Sequence, residues 1–116
     1  MIIMTDIEKA KDDCLDAFDD EIVAARDLKN QSNPTDSLKM TDVIARLKAQ
    51  RTAIAVQDYK AALTDPAMQN ALAIIRGATA DMTVVAGNMK TVTDFVTNLA
   101  TFIGGGTKVV SALRGI

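Results

Sequence analysis

Asp65–Ile103 reads DPAMQNALAIIRGATADMTVVAGNMKTVTDFVTNLATFI, and its periodicity decides the fold. A large apolar residue returns every seven positions, at Met68, Ile75, Met82, Met89, Val96 and Ile103. Three residues after the first five of these stand Ala71, Ala78, Val85, Val92 and Leu99, so the a and d positions of a heptad are filled over five repeats. Helical throughout, the stretch would be a rod of roughly 50–55 Å at about 1.5 Å per residue. Between Pro66 and Ile103 only four of thirty-eight residues are charged, and the e and g positions hold Leu72, Ile74, Ala86, Phe95, Ala100 and Phe102 rather than Glu and Lys. So broad an apolar face suits a rod packed against the other helices of its chain or against a second copy. Thr91–Thr97 is rich in β-branched residues and by local propensity would allow a strand. The unbroken heptad phase favours helix. Gly77 and Gly87 each cost a helix up to ~1 kcal/mol relative to Ala and are expected where a neighbouring helix comes close.

Upstream, Thr5-Asp6-Ile7-Glu8 has the pattern of a capping box, and Ile7, Ala10, Cys14, Leu15, Phe18, Ile22, Ala25 and Leu28 follow at spacings of three and four. The spacing predicts a first helix over 6–29, stopped by Asn30-Gln31-Ser32-Asn33-Pro34. A second helix has three competing starts, with Asn33, Ser37 or Thr41 as cap. Its stripe, Leu38, Val43, Ile44, Leu47, Ile54 and Ala61, widened by Val56, Tyr59 and Leu63, predicts a span of 38–63. Thr64-Asp65-Pro66 then starts the third, over 66–103, with Asp65 as cap and Pro66 in the first turn. Gly104-Gly105-Gly106 is expected to end the rod as a hinge, leaving 107–116 as a short helix or flap. The fold read from the sequence is one all-α domain spanning 1–116, an elongated antiparallel three-helix bundle with one long C-terminal helix.

The chain has 116 residues, 48% of them hydrophobic and 24% charged, enough apolar mass for a folded core. Charge is unevenly placed: residues 1–65 carry thirteen acids against nine bases, and 66–116 only two acids against four bases. A net charge of −2 with no cluster of Lys or Arg argues against a nucleic-acid partner, because binding phosphates requires concentrated positive charge. A single cysteine, Cys14, on an apolar stripe allows no intrachain disulfide and reads as a small buried hydrophobe. Met1-Ile2-Ile3-Met4 lacks the basic region and length of a signal peptide, which points to the cytoplasm or to a leaderless export route.

Sites of chemistry are sparse. Asp12-Asp13-Cys14-Leu15-Asp16 matches the DDxxD pattern that holds magnesium and diphosphate in isoprenoid synthases, but a second carboxylate cluster and the basic residues for diphosphate are missing. The run reads as a solvated helix face. No histidine is present to act as general base or transition-metal ligand. The glycines at 104–106 lack the preceding strand and the lysine placement of a phosphate loop. No catalytic, metal or cofactor site is therefore expected, and the chain reads as a non-enzymatic helical interaction or assembly module. Its expected partner is a second copy or another helical protein. The residues assigned to the interface are Met68, Ile75, Met82, Val85, Met89, Val92, Val96, Leu99 and Ile103. The alternative is membrane activity through 95–116, a weakly cationic amphipathic tail without acids, too interrupted to span a bilayer. Two series of small residues at four-residue spacing, Ala73 and Gly77, then Thr83, Gly87 and Thr91, would suit helix contacts in lipid.

Overall fold

A computed structural model describes residues 4–58 and 65–116, without the side chains of Met4, Thr5 and Asp65. The expected capping role of Thr5, that of Asp65, and the contributions of Tyr59, Ala61 and Leu63 to the second stripe lie outside the described residues. Four helices are seen: α1 Met4–Asn30, α2 Pro34–Ala55, α3 Asp65–Ala86 and α4 Val92–Arg114. The protein is all-α, with no strand among the described residues.

Helix α1 closes where the polar cluster begins, with Ser32 Oγ donating to the Leu28 carbonyl at 2.6 Å. Of the three candidate starts for α2, Asn33 is the one used. Its side chain accepts from the Asp36 amide at 2.8 Å, and Pro34 occupies the first turn, where its missing N–H is not needed. The helix therefore begins four residues before 38. It also ends earlier than 63, at Ala55. There the α1 side chain of Lys11 donates to the carbonyls of Ala55 at 3.0 Å and Gln57 at 2.9 Å, satisfying acceptors that further helical turns would otherwise have used.

The long rod is two helices. Gly87 and Asn88 turn the chain after Ala86, and Thr91 opens α4 with a capping box. Thr91 Oγ1 accepts from the Asp94 amide at 3.1 Å, and Asp94 Oδ2 accepts from the amides of Thr91 at 3.1 Å and Lys90 at 3.2 Å. Those two amides hold the Asp94 carboxyl below the usual carboxylate range. The β-branched stretch expected to sit mid-helix thus starts a helix. The glycines at 104–106 are no hinge either: α4 runs through them, and 107–116 is part of the bundle, with Val109, Val110, Leu113 and Ile116 buried.

Contacts fix the topology. Asp19 of α1 pairs with Arg51 of α2, two bonds at 2.6 and 3.2 Å, so these helices are antiparallel. Met82 of α3 lies against Gly105 of α4 while Ala67 and Asn70 share a groove with Gly115 and Ile116, so these are antiparallel too. Gln50 of α2 reaches Thr107 of α4, and Val43 lies beside Val92 and Val96, which makes α2 and α4 parallel neighbours. The result is an up-down-up-down bundle in the ring order α1, α2, α4, α3, with an extent of 52 × 23 × 18 Å.

One apolar core cluster draws on all four helices. Its centre is a diagonal contact between α1 and α4, where the rings of Phe18 and Phe102 meet edge to face with centroids 5.0 Å apart. Gly106 lets α4 come that close. A Cβ there would lie 2.8 Å from Phe18 Cζ. Gly105 does the same for α3, since a Cβ would lie 2.3 Å from Met82 Cγ. Gly77, expected at a close helix approach, instead faces open space, with nothing within 4 Å of a Cβ.

Candidate functional site

The heptad seam, expected to meet a partner, is mostly covered by the chain itself. Met68, Ile75, Met82, Met89 and Leu99 are buried, Val85, Val92 and Ile103 are partly buried, and only Val96 stands exposed, at 52%. Because the chain reverses at 87–91, the first half of the seam packs on α1 and α4 instead of continuing toward a partner. Helix α4 has a stripe of its own, Phe95, Leu99, Phe102, Gly106, Val109 and Leu113, one step round from the extrapolated heptad. That step puts Val96 outside.

Val96 sits over a groove of about 400 Å³ between α2 and α4, floored by Val43, Val92 and Leu99 and edged by Thr93 and Thr97. Lys39, Asp42 and Arg46 form its α2 rim. Arg46 is paired with Asp42 at 3.0 Å and Lys39 with Asp36 at 3.8 Å, both pairs exposed and worth little to stability. The groove is apolar at its base, and the charges on its rim are paired. Val84, 70% exposed, stands uncovered on the far side of α3, and Ile74, 42% exposed, edges the groove that α3 shares with α4. Periodicity places Ile74 on the flank of the seam and passes over Val84, which falls between the seam positions.

Among the described residues, two ionisable groups lie inside the bundle. Cys14 is fully buried on α1, and burial pushes its thiol up to about 11 despite the Thr79 hydroxyl beside it, so at neutral pH it is an unreactive thiol. The aspartates around it on the DDxxD run, Asp12, Asp13 and Asp16, are exposed. Among the described residues, no three His, Cys, Asp or Glu side chains converge as a metal-ligand set. Among the same residues, no helix is long and apolar enough to cross a membrane. The apolar side chains of the 107–116 tail, which a membrane surface would require, are occupied in the core.

Glu21 is the second group, only 8% exposed, with Oε2 lacking a hydrogen-bond partner. Burial raises its carboxyl above the usual value, the Lys90 charge pulls it back, and Asp20 pushes it further up. A carboxyl raised in the folded state binds a proton there that the unfolded chain has already released. Its contribution is thus favourable at low pH and is lost as pH rises from the unfolded value near ~4.3 through the raised folded one. Glu21→Gln, which mimics the neutral form, is expected to raise stability at pH 7 by about 1 kcal/mol. In urea titrations the difference from the parent chain should shrink toward zero at pH 4. An equal difference at both pH values would show that ionisation of Glu21 costs the fold nothing.

Compared with family models, curated proteins and solved structures, the chain matches none.

Proposed function

We propose that the protein is a non-enzymatic helical assembly module that acts by associating with itself. The observation that supports this reading is the outer surface of the α3–α4 hairpin. From Pro66 to Arg114 it carries just six charged side chains, Arg76, Asp81, Lys90, Asp94, Lys108 and Arg114, while Val84 and Val96 project into solvent. Helix α1 by contrast is charged along its whole outer face, with Glu8, Lys9, Asp12, Asp13, Asp16, Asp20, Arg26 and Asp27 exposed. Large apolar side chains are exposed on both halves, Val23, Leu38 and Val56 on the first and Ile74, Val84 and Val96 on the second, so what sets the hairpin apart is how little charge surrounds its own, and apolar surface with little charge around it marks a contact surface. The heptad interior holds the chain together and the outer faces meet the partner, which divides between two surfaces the roles that the sequence assigns to one.

Light scattering on the purified chain tests this directly. The expected mass is a whole-number multiple of 12.4 kDa, with two copies the first expectation, and stable on dilution through the micromolar range. A mass of one chain up to roughly millimolar concentration, where association would be weaker than about −4 kcal/mol, contradicts it.

A further inference from the structure

We propose that the outward face of α3 is the surface through which two copies of this chain associate, side by side and pointing the same way, about a twofold axis parallel to the helix. The inference rests on the self-association reading and adds its surface and geometry.

Asn70, Ala73, Gly77, Ala80, Val84 and Gly87 are all exposed and follow one another at alternating spacings of three and four. The first five form a second heptad on the back of α3, two residues out of step with the seam that faces the core, and Gly87 lies in the turn just beyond its end. Ala73, Gly77 and Ala80 at its centre are small, so two such helices can bring their axes close. Asn70 falls at an a position, where a polar residue fixes register in parallel two-stranded pairs.

Charge selects the orientation. On one flank of this face Arg76 and Thr83 share a groove with Ala10 and Asp13 of α1. On the other flank Asp81 shares a groove with Gly104, Gly105 and Lys108 of α4. Among the described residues, none of Asp13, Arg76, Asp81 and Lys108 has an ion-pair partner. Arg76 precedes Gly77 and so is a g position; Asp81 follows Ala80 and is an e position. In a parallel pair the g residue of one helix meets the e residue five places further along the other, which brings Arg76 to Asp81 of the second copy, twice by symmetry. The α1 edge of one copy also faces the α4 edge of the other, setting Asp13 toward Lys108 at the same height. In an antiparallel pair like flanks would meet, which sets the acidic α1 edge against its own copy and takes Arg76 away from the Asp81 of the second copy. The Arg76–Asp81 pair, made twice, and the contact of an acidic α1 edge with Lys108 commit the face to a parallel copy of itself.

Gly77→Leu is the decisive variant. Nothing lies within 4 Å of a Cβ at this position and leucine favours helix, so the chain should fold at least as well as the parent, checked by its melting curve and helical signal. Its mass by sedimentation equilibrium should fall to that of one chain, because the bulk enters the closest point between the two helices. Arg76→Asp and Asp81→Arg singly should each weaken association about tenfold or more, and together should restore it to within about threefold. If the parent chain associates and Gly77→Leu leaves its mass unchanged, this face is not the interface, although self-association stands. If the single reversals weaken association and the double reversal does not restore it, the parallel orientation is wrong. A monomeric parent chain overturns both the inference and the reading beneath it.

Discussion

Replacing Phe102 with alanine should remove about 3–5 kcal/mol of stability, the usual cost of truncating a buried phenylalanine and a large part of the 5–15 kcal/mol that holds a domain folded. Phe102 is fully buried, and its ring rests edge to face on Phe18, where diagonal helices α1 and α4 meet. Its neighbour in the helix, Gly106, is packed against the same Phe18 ring. Phe18→Ala should therefore cost a comparable amount, and the double variant less than the sum, because both truncations delete one shared contact. Chemical denaturation of the four proteins measures the cycle. Strict additivity would mean that the two rings do not meet as described.

The three glycines of α4 should give three different answers to alanine. At Gly104 nothing lies within 4 Å of a Cβ, so alanine should add about 0.5–1 kcal/mol through helix propensity alone. At Gly105 the new methyl would overlap Met82 and at Gly106 the Phe18 ring, and overpacking of this kind typically costs about 1–3 kcal/mol. At Gly106 the loss should disappear in a Phe18→Ala background, where the ring is gone and only the side chain of Gln50, at 3.0 Å, remains to move aside. A flexible hinge at 104–106 would instead respond to all three substitutions alike. The melting temperatures of the three single variants are sufficient to decide.

These glycines show where sequence reading stops. A run of three glycines has the poorest helix propensity short of proline, and propensity alone places a break there. Packing overrides it, because a Cβ at Gly105 would overlap Met82 of α3 and one at Gly106 would overlap Phe18 of α1. The real break, at Gly87–Thr91, was written in the chain as Gly87-Asn88 followed by the box residues Thr91 and Asp94. It was hidden because Met89, within the turn, is itself buried and keeps the seven-residue count intact. The signal against one continuous helix was the position of the aromatics. Phe95 and Phe102 sit at flanking heptad positions and are among the most buried residues of α4, where a new stripe begins after the turn.

What was legible was local. The helical class follows from apolar spacings of three and four and the stop of α1 from its polar cluster, whereas Asn33-Pro34 was one of three starts for α2 that the sequence left unseparated. Periodicity identifies which side of a helix is covered but carries no record of what covers it. The seam from Met68 to Leu99 could thus be read as a contact with a partner when it is largely a contact within the chain. Val84 was invisible as a surface feature for the same reason: only the arrangement of the other three helices shows which side of α3 is left open.

The claim on which the rest depends is that α3 and α4 fold back on each other, so that the seam is spent inside the molecule and any partner must use the outer faces. Spin labels at Asn70 and Ser111, both lining the same outer groove, measure it by dipolar spectroscopy in labelled protein diluted with unlabelled chain. Neighbouring helix axes about 10 Å apart predict a narrow distribution below roughly 25 Å once label length is included. A distribution near 60 Å, the length of a continuous helix between these positions at about 1.5 Å per residue, would contradict the hairpin and with it the closed core, the α2–α4 groove and the free face of α3.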